Sequence, residues 1–231
     1  MPGDSGGSGL SLTPSWVRLP APCLMVVTDR VLCGGADGLA AAVEAAVSGG
    51  ADAVQLREKD LADGELLPLA RRLRAVTQGR ALLVVNGPLE GAVAIGADGV
   101  HLPEGAPMLP RPRRGFLVGR SVHSLEAARR ADVVGADYLV AGPVYETRSH
   151  PGAQPAGLAL VEEIARAVRV PVLAIGGVTA GRVEEVVRAG ASGVAVISAV
   201  LAQPDPREAA EALRRALDAA WERSLTPRGT S

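Results

Sequence analysis

Aromatic residues, cysteines and long apolar runs are all scarce in this chain. Two Trp, two Tyr and one Phe are its only aromatic residues among 231. Proteins that stack nucleobases need aromatic side chains, and those that bind phosphate backbones carry an excess of basic residues. Because the formal net charge is −1, we expect no nucleic-acid partner. No apolar run is long enough to span a bilayer, so we expect no membrane partner either.

The two cysteines, Cys23 and Cys33, match no spacing of metal ligands. We interpret them as thiols of a protein from a reducing compartment and predict a cytoplasmic location. Residues 1–22 are rich in Gly, Ser and Pro and lack the basic start and apolar stretch of a signal peptide. We expect a disordered extension over 1–22, a single domain over 23–223 and a flexible tail over 224–231.

One short phrase recurs four times, at Gly50–Val54, Gly96–Val100, Gly135–Leu139 and Gly190–Val194. A helix that ends at Gly, turns through Asp or Ser and enters a Val-rich strand forms an αβ junction of a parallel α/β fold. The copies are about two βα units apart, so four junctions imply about eight strands. We therefore predict the α/β class and a (β/α)₈ TIM barrel. An open doubly wound sheet is less favoured, because no Gly-x-Gly-x-x-Gly turn follows the first strand.

The predicted strands are continuous apolar runs, as expected when helices cover a parallel sheet. They are Leu24–Thr28, Ala53–Arg57, Ala81–Val85, Gly99–Leu102, Phe116–Ser121, Tyr138–Ala141, Pro171–Ile175 and Val194–Ile197. Four prolines lie between 103 and 112, so the fourth helix is expected to be short or irregular.

The carboxyl ends of the strands hold the active site in barrels of this kind. Gly176-Gly177 follows the seventh predicted strand, and Ile197-Ser198 ends the eighth. Glycines let the backbone approach a ligand closely, and the first N–H groups of a helix can bind an anion. We predict a phosphate site formed by these two loops. The alternative is a pair of tight βα turns with ordinary caps.

Two cations, Arg57 and Lys59, follow the second predicted strand with Glu58 between them. Alternate residues of an extended segment point the same way, so Arg57 and Lys59 are placed to bind one anionic group. The alternative is a solvated run of charges.

Among the three histidines, His123 lies just beyond a strand end, next to Ser121. Imidazole takes and returns protons near neutral pH, so His123 is the candidate acid–base residue, although its position fits a structural role as well. We interpret His101 as a packed or hydrogen-bonded residue at the rim, and His150 lies in a polar loop.

Taken together, the strand-end motifs resemble the thiamine phosphate synthase superfamily over about Leu24–Leu217. They are Gln55–Lys59, the Asn86 strand end, Gly99–Leu102, Gly119–Ser124, Gly142–Thr147, Ala174–Val178 and Val196–Ala199. The resemblance implies a phosphorylated thiazole substrate, held at its phosphate by Gly176, Gly177, Ile197 and Ser198. It further implies substrate contacts from Arg57, Lys59, Asn86, Ser121 and Thr147.

The superfamily contains two activities, and the sequence departs from one of them. The synthase joins a pyrimidine diphosphate to a thiazole phosphate and uses magnesium held by two aspartates. Here Gly87 stands at the first of those positions, and Pro103-Glu104-Gly105-Ala106 covers the second. One carboxylate, Glu104, is a poor clamp for magnesium diphosphate. The loop after the sixth predicted strand contains Thr147-Arg148-Ser149-His150, where the synthase pattern is Thr-x-Thr-Lys, so the second Thr is a Ser and the lysine is absent.

These departures resemble the TenI-like thiazole tautomerases. We therefore predict an isomerase of thiamin biosynthesis that aromatises a carboxylated dihydrothiazole ethyl phosphate, with His123 moving the proton. This activity implies no metal and no other cofactor, whereas the synthase alternative implies magnesium. A barrel that binds thiazole phosphate without turnover is a third reading. A homo-oligomer stays open, since apolar barrel surfaces often pair.

Overall fold

The structure, a computed structural model, describes residues 18–107, 109–147 and 154–226. Eight parallel strands close into a barrel in the order β1 to β8, which confirms the predicted TIM-barrel fold. The strands are β1 Cys23–Val27, β2 Ala53–Leu56, β3 Leu82–Val85, β4 Gly99–Leu102, β5 Leu117–Val122, β6 Tyr138–Ala141, β7 Val172–Ile175 and β8 Gly193–Val196.

Helices alternate with the strands and cover the outside of the barrel. They are α1 Ala36–Ser48, α2 Asp63–Thr77, α3 Leu89–Ala94, α4 Leu125–Val133, α5 Gly157–Ala167, α6 Val183–Arg188, α7 Ser198–Leu201 and α8 Pro206–Leu225. Short 3₁₀ turns cover Arg30–Cys33 and Ala180–Arg182. Between β4 and β5 the described residues contain no helix, in line with the prolines there. Of the segments expected to be disordered or flexible, residues 1–17 and 227–231 lie outside the described residues.

Both faces of the barrel wall are mostly apolar, as the apolar runs predict. Met25, Leu117 and Leu173 pack in a cluster inside the barrel, while Leu24, Val54 and Val100 belong to the core between barrel and helices. Successive side chains of a strand point to opposite faces, so each strand contributes to both layers. A residue that follows this alternation into the interior near a carboxyl end therefore faces the site.

The aspartate of the repeated phrase has one structural role in three of the four copies. Its Oδ2 accepts a hydrogen bond, at 2.7 to 2.8 Å, from a backbone N–H in the first two residues of the preceding strand. The same oxygen pairs with an arginine at 2.6 to 2.7 Å, in the pairs Asp52–Arg214, Asp98–Arg74 and Asp137–Arg111. In the fourth copy, the carbonyl of Ser192 accepts from the Cys23 N–H at 3.1 Å. The repeat therefore fastens the amino ends of the strands, which is the stabilising end of such a barrel.

A buried tyrosine fills the barrel interior only because β5 carries a glycine beside it. A Cβ at Gly119 would lie 2.0 Å from Tyr138 Cζ, so no side chain larger than hydrogen fits there. We expect Gly119→Ala to lower the free energy of unfolding by about 3 kcal/mol or more, since overpacking forces the ring and backbone to move.

Urea denaturation of the two proteins measures this effect of Gly119→Ala. The matched control is Gly91→Ala in α3, where a Cβ would meet nothing within 4 Å. Alanine is the better helix former, so this control should gain about 0.5–1 kcal/mol. A Gly119→Ala protein as stable as the wild type would contradict the packing described here.

Candidate functional site

A cavity of about 710 Å³ opens at the carboxyl ends of the strands, where the sequence places the active site. Every predicted site residue lines it, whether it was assigned to phosphate, to substrate or to catalysis. These residues are Arg57, Lys59, Asn86, Ser121, His123, Thr147, Gly176, Gly177, Ile197 and Ser198. The structure thus brings the predicted set together, while the role of each member stays a prediction.

The glycine loop after β7 is packed tightly against the loop after β6. Gly176 and Gly177 have φ of 98° and 65°, a region that favours glycine. A Cβ at Gly177 would lie 2.6 Å from the Glu146 carbonyl oxygen. The N–H of Tyr145 donates to the Gly176 carbonyl at 3.0 Å. These glycines are therefore required by the contact between two loops, in addition to any approach of a ligand.

An arginine missed in the sequence, Arg182, also lines the cavity beside these glycines. Its Nη1 donates to the Gly177 carbonyl at 2.8 Å, and its guanidinium lies 4.3 Å from the ring centre of Tyr145. The Tyr145 hydroxyl in turn donates to Glu185 at 2.6 Å. Burial, followed by this hydrogen bond, raises the pKa of Tyr145 to about 12, so the phenol stays protonated. The sequence did contain a signal for Arg182, because it is the first basic residue after the glycine pair.

At the end of β8, Ser198 begins the short helix α7, with Ile197 as its N-cap residue. The first N–H groups of a helix have no partner within the helix. Ser198 also brings a hydroxyl to the same wall of the cavity. The side of the cavity formed by Ile197 and Ser198 therefore offers hydrogen-bond donors to an anion, although this side carries no formal positive charge.

The two cations after β2 behave as the alternation predicts. Arg57 is half-buried and Lys59 is exposed, and both line the cavity. Glu58 is buried on the other side, where it accepts from the backbone N–H of Arg30 at 3.1 Å and from its Nη1 at 3.2 Å. The Arg57 N–H donates to the Thr28 hydroxyl at 2.8 Å, which fixes the strand end. Glu58 is thus satisfied elsewhere and leaves both cations to the cavity.

His123 is paired with a carboxylate from the neighbouring strand end. Glu104 Oε2 lies 2.7 Å from His123 Nδ1 and accepts from the His123 backbone N–H at 2.7 Å. The side chains are 56% and 32% exposed. The pair stands at the rim of the cavity, and the backbone contact means that β5 holds Glu104 in place.

His101 forms the floor of the cavity and is buried, rather than lying at the rim as the sequence suggested. Its Nε2 lies 2.9 Å from the Ser121 hydroxyl and its Nδ1 3.2 Å from the Tyr138 hydroxyl. Burial, with smaller contributions from Arg57 and Arg120, lowers the pKa of His101 to about 3. The ring is therefore neutral, with one nitrogen donating and the other accepting. It orients Ser121 toward the cavity.

Within the part of the chain that the structure describes, no group of three or more His, Cys, Asp or Glu side chains is placed to hold a metal ion. No helix there is long and apolar enough to cross a membrane. His150 lies outside the described residues.

The fold and the position of the cavity define a (β/α)₈-barrel enzyme whose site is lined by cations, amides and hydroxyls at the strand ends. Residues 24–200 match the family described as "Thiamine monophosphate synthase", and the chain belongs to that family. Members of this thiamine-biosynthesis family bind phosphorylated substrates.

Individual relatives agree with the family assignment. The chain is 47% identical to "Thiamine-phosphate synthase" of Methanoculleus marisnigri, over 85% of this chain and 96% of that protein. It is 45% identical to the protein of the same name from Anaeromyxobacter dehalogenans, over 82% and 87%. A solved structure, "Thiamine phosphate pyrophosphorylase" from Pyrococcus furiosus, superposes with a TM-score of 0.76 at 36% identity, covering 86% of this chain and 96% of that one.

The predicted isomerase, a thiazole tautomerase, is wrong, because relatives at 47% and 45% identity are named synthases, which are transferases. The expectation of no cofactor loses its support with it. The error came from the missing aspartates. Mg²⁺ is commonly held by one or two carboxylates together with the phosphates of the substrate, so the absence of a protein-built metal cage does not separate the two activities.

Proposed function

We propose that the protein is a thiamine-phosphate synthase, which joins hydroxymethylpyrimidine diphosphate to thiazole phosphate and releases diphosphate. One observation carries the proposal beyond the relatives' names. The cavity has two separate sets of anion-binding groups, one after β2 and one after β7 and β8. A reaction between two phosphorylated substrates uses both sets, one for the thiazole phosphate and one for the diphosphate. The volume, about 710 Å³, is ample for both ligands.

The thiazole phosphate is assigned to the wall formed by the loops after β7 and β8. Gly176, Gly177, Ile197 and Ser198 offer amides and a hydroxyl there, and Arg182 adds a positive charge. The diphosphate is assigned to Arg57 and Lys59. A bidentate guanidinium suits a phosphoryl group, and a second cation offsets its remaining charge. Asn86, Ser121 and Thr147 line the space between and would orient the two rings.

A diphosphate substrate implies Mg²⁺, and the residues present fit that ion in company with the substrate. Asn86 and Glu104 stand at the ends of the adjacent strands β3 and β4 and bring oxygen ligands to the cavity. With the diphosphate oxygens and water they complete a donor set that Mg²⁺ accepts. The bound ion would neutralise charge on the departing diphosphate. His123 would serve as a positioning residue, because it holds Glu104 through two hydrogen bonds.

Incubation with both substrates tests the proposal directly. We expect thiamine phosphate to form with added Mg²⁺, and excess chelator to lower the rate by at least about a hundredfold. Because the described residues form no metal cluster of their own, the chelator should leave the melting temperature unchanged. Restoring Mg²⁺ should restore the rate. If no thiamine phosphate forms with both substrates and Mg²⁺, the proposal is overturned.

Some expectations from the sequence remain predictions. These are the cytoplasmic location, the absence of a nucleic-acid partner and the open homo-oligomer. The separate assignments of the site residues are likewise proposals until each is substituted.

A further inference from the structure

A second cavity of about 260 Å³ lies on the outer side of the barrel wall, between the loop after β4 and helix α4. It is lined by Glu104, Gly105, Ala106, Pro107, Arg120, Ala127, Arg130, Ala131 and Val134. The positions from α4 and the residue after it are spaced as one face of a helix. Arg120 comes from β5, where it points away from the barrel interior because its neighbour Ser121 points into the catalytic cavity.

Arg120 is a buried cation with unsatisfied donors. Its residue is 6% exposed, and its Nη1 donates to the Ala106 carbonyl at 2.5 Å. Among the residues that the structure describes, neither Nε nor Nη2 has a hydrogen-bond partner. Burial lowers the pKa of the guanidinium, but an arginine starts so high that it keeps its charge in a protein. A buried charge without a partner destabilises the folded state, so a group that satisfies these donors stabilises the protein.

The two free donors fit one kind of ligand. The Nε–H and one Nη2–H lie side by side on the same edge of the planar guanidinium and bind two neighbouring oxygens at once. The carboxylate that lines the cavity, Glu104, has its Oε2 engaged by His123. Arg130 adds a second positive charge to the lining, and it also pairs with Glu126 on its own helix. The rest of the wall is built of small apolar residues such as Ala127 and Ala131.

We propose that this cavity is a second anion site, in which the Arg120 guanidinium turns toward the cavity and binds two oxygens of a small oxyanion of the phosphate or carboxylate type through Nε and Nη2, which are closed to solvent in this structure. The site is separate from the catalytic cavity and does not depend on the function proposed for it. Glu104 lines both cavities, so an anion held by Arg120 lies close to the carboxylate that His123 holds.

Thermal unfolding at constant ionic strength tests the proposal, with sodium phosphate or sodium acetate replacing sodium chloride. At a ligand concentration tenfold above Kd we expect Arg120-dependent binding to raise Tm by about 3–6 °C. Arg120→Leu should lose this part of the shift. In chloride it should melt at or above the wild type, because an unpaired buried charge has been removed. Arg129→Leu, at an exposed position on α4 outside the cavity, should keep the full shift.

Two further measurements keep the result decisive. Arg120→Lys retains the positive charge but lacks the two adjacent N–H donors of the guanidinium, so it should also lose the Tm shift. This second variant serves as a check in case the leucine variant misfolds. In crystals soaked with selenate, anomalous density should appear beside Arg120 in the wild type. A shift with phosphate alone, or with acetate alone, identifies the class of oxyanion. An equal shift in the wild type and both Arg120 variants overturns the proposal, as does selenate confined to the catalytic cavity when phosphate gives the shift.

Discussion

Arg57→Gln is expected to lower the rate of thiamine phosphate formation by about a hundredfold to a thousandfold, the range seen when one preorganised donor to a developing anion is removed. The backbone of Arg57 is tied to Thr28 at 2.8 Å, and the half-buried side chain lines the cavity. Glutamine keeps some of the packing but has neither the charge nor the two-pronged geometry. The departing diphosphate would then be poorly stabilised.

Steady-state kinetics with each substrate varied in turn measure this effect of Arg57→Gln. The loss should appear in kcat and in kcat/KM for the diphosphate substrate, with a smaller change for thiazole phosphate. Arg71→Gln is the matched control, because Arg71 is exposed on α2 and does not line the cavity. A rate for Arg57→Gln within threefold of this control would remove Arg57 from the proposed diphosphate site.

Acid should destabilise the protein through His101. The folded state holds the His101 pKa at about 3, against 6.5 for a free side chain. Below pH 6.5, therefore, His101 becomes protonated in the unfolded chain while it stays neutral in the folded chain. The free energy of unfolding should fall with falling pH, by up to about 1.4 kcal/mol per pH unit, until the folded pKa is reached.

The comparison with His101→Gln isolates this effect. Glutamine can still donate to one hydroxyl and accept from the other, but it does not titrate. Urea unfolding of both proteins across the pH range gives the difference in their free energies of unfolding, in which the contributions of other groups largely cancel. We expect the free energy of unfolding of the wild type to fall progressively, relative to that of His101→Gln, below pH 6.5. A difference that does not change with pH would show that His101 titrates alike in both states.

The barrel could be predicted because its signals are local. Short, mostly apolar runs such as Gly99–Leu102 and Tyr138–Ala141 coincide with β4 and β6 at both ends. The hydroxyl of Ser124 caps α4 by accepting from the Ala127 N–H, a local contact of the kind that N-cap serines make. The site could be located for the same reason, since parallel strands bring all their carboxyl ends to one face.

Pairs that join distant strands could not be predicted in this way. The contact of His101 with Tyr138 passes across β5 and depends on Gly119 having no side chain. The unsatisfied donors of Arg120 depend on how α4 packs over β5, which no periodicity in the sequence encodes. The activity was mistaken because residue types at two positions were weighed without the oxygens that a substrate brings to the metal.

The three Asp–Arg pairs at the amino ends of the strands also set an order of assembly during synthesis. Asp98–Arg74 and Asp137–Arg111 join residues 24 and 26 positions apart, so each is available soon after its strand leaves the ribosome. Asp52–Arg214 spans 162 positions, and β1 must in addition pair with β8. The nascent chain therefore carries an open sheet edge until α8 emerges. The barrel closes only after α8 has been synthesised, and a chain released before that point has an unclosed sheet.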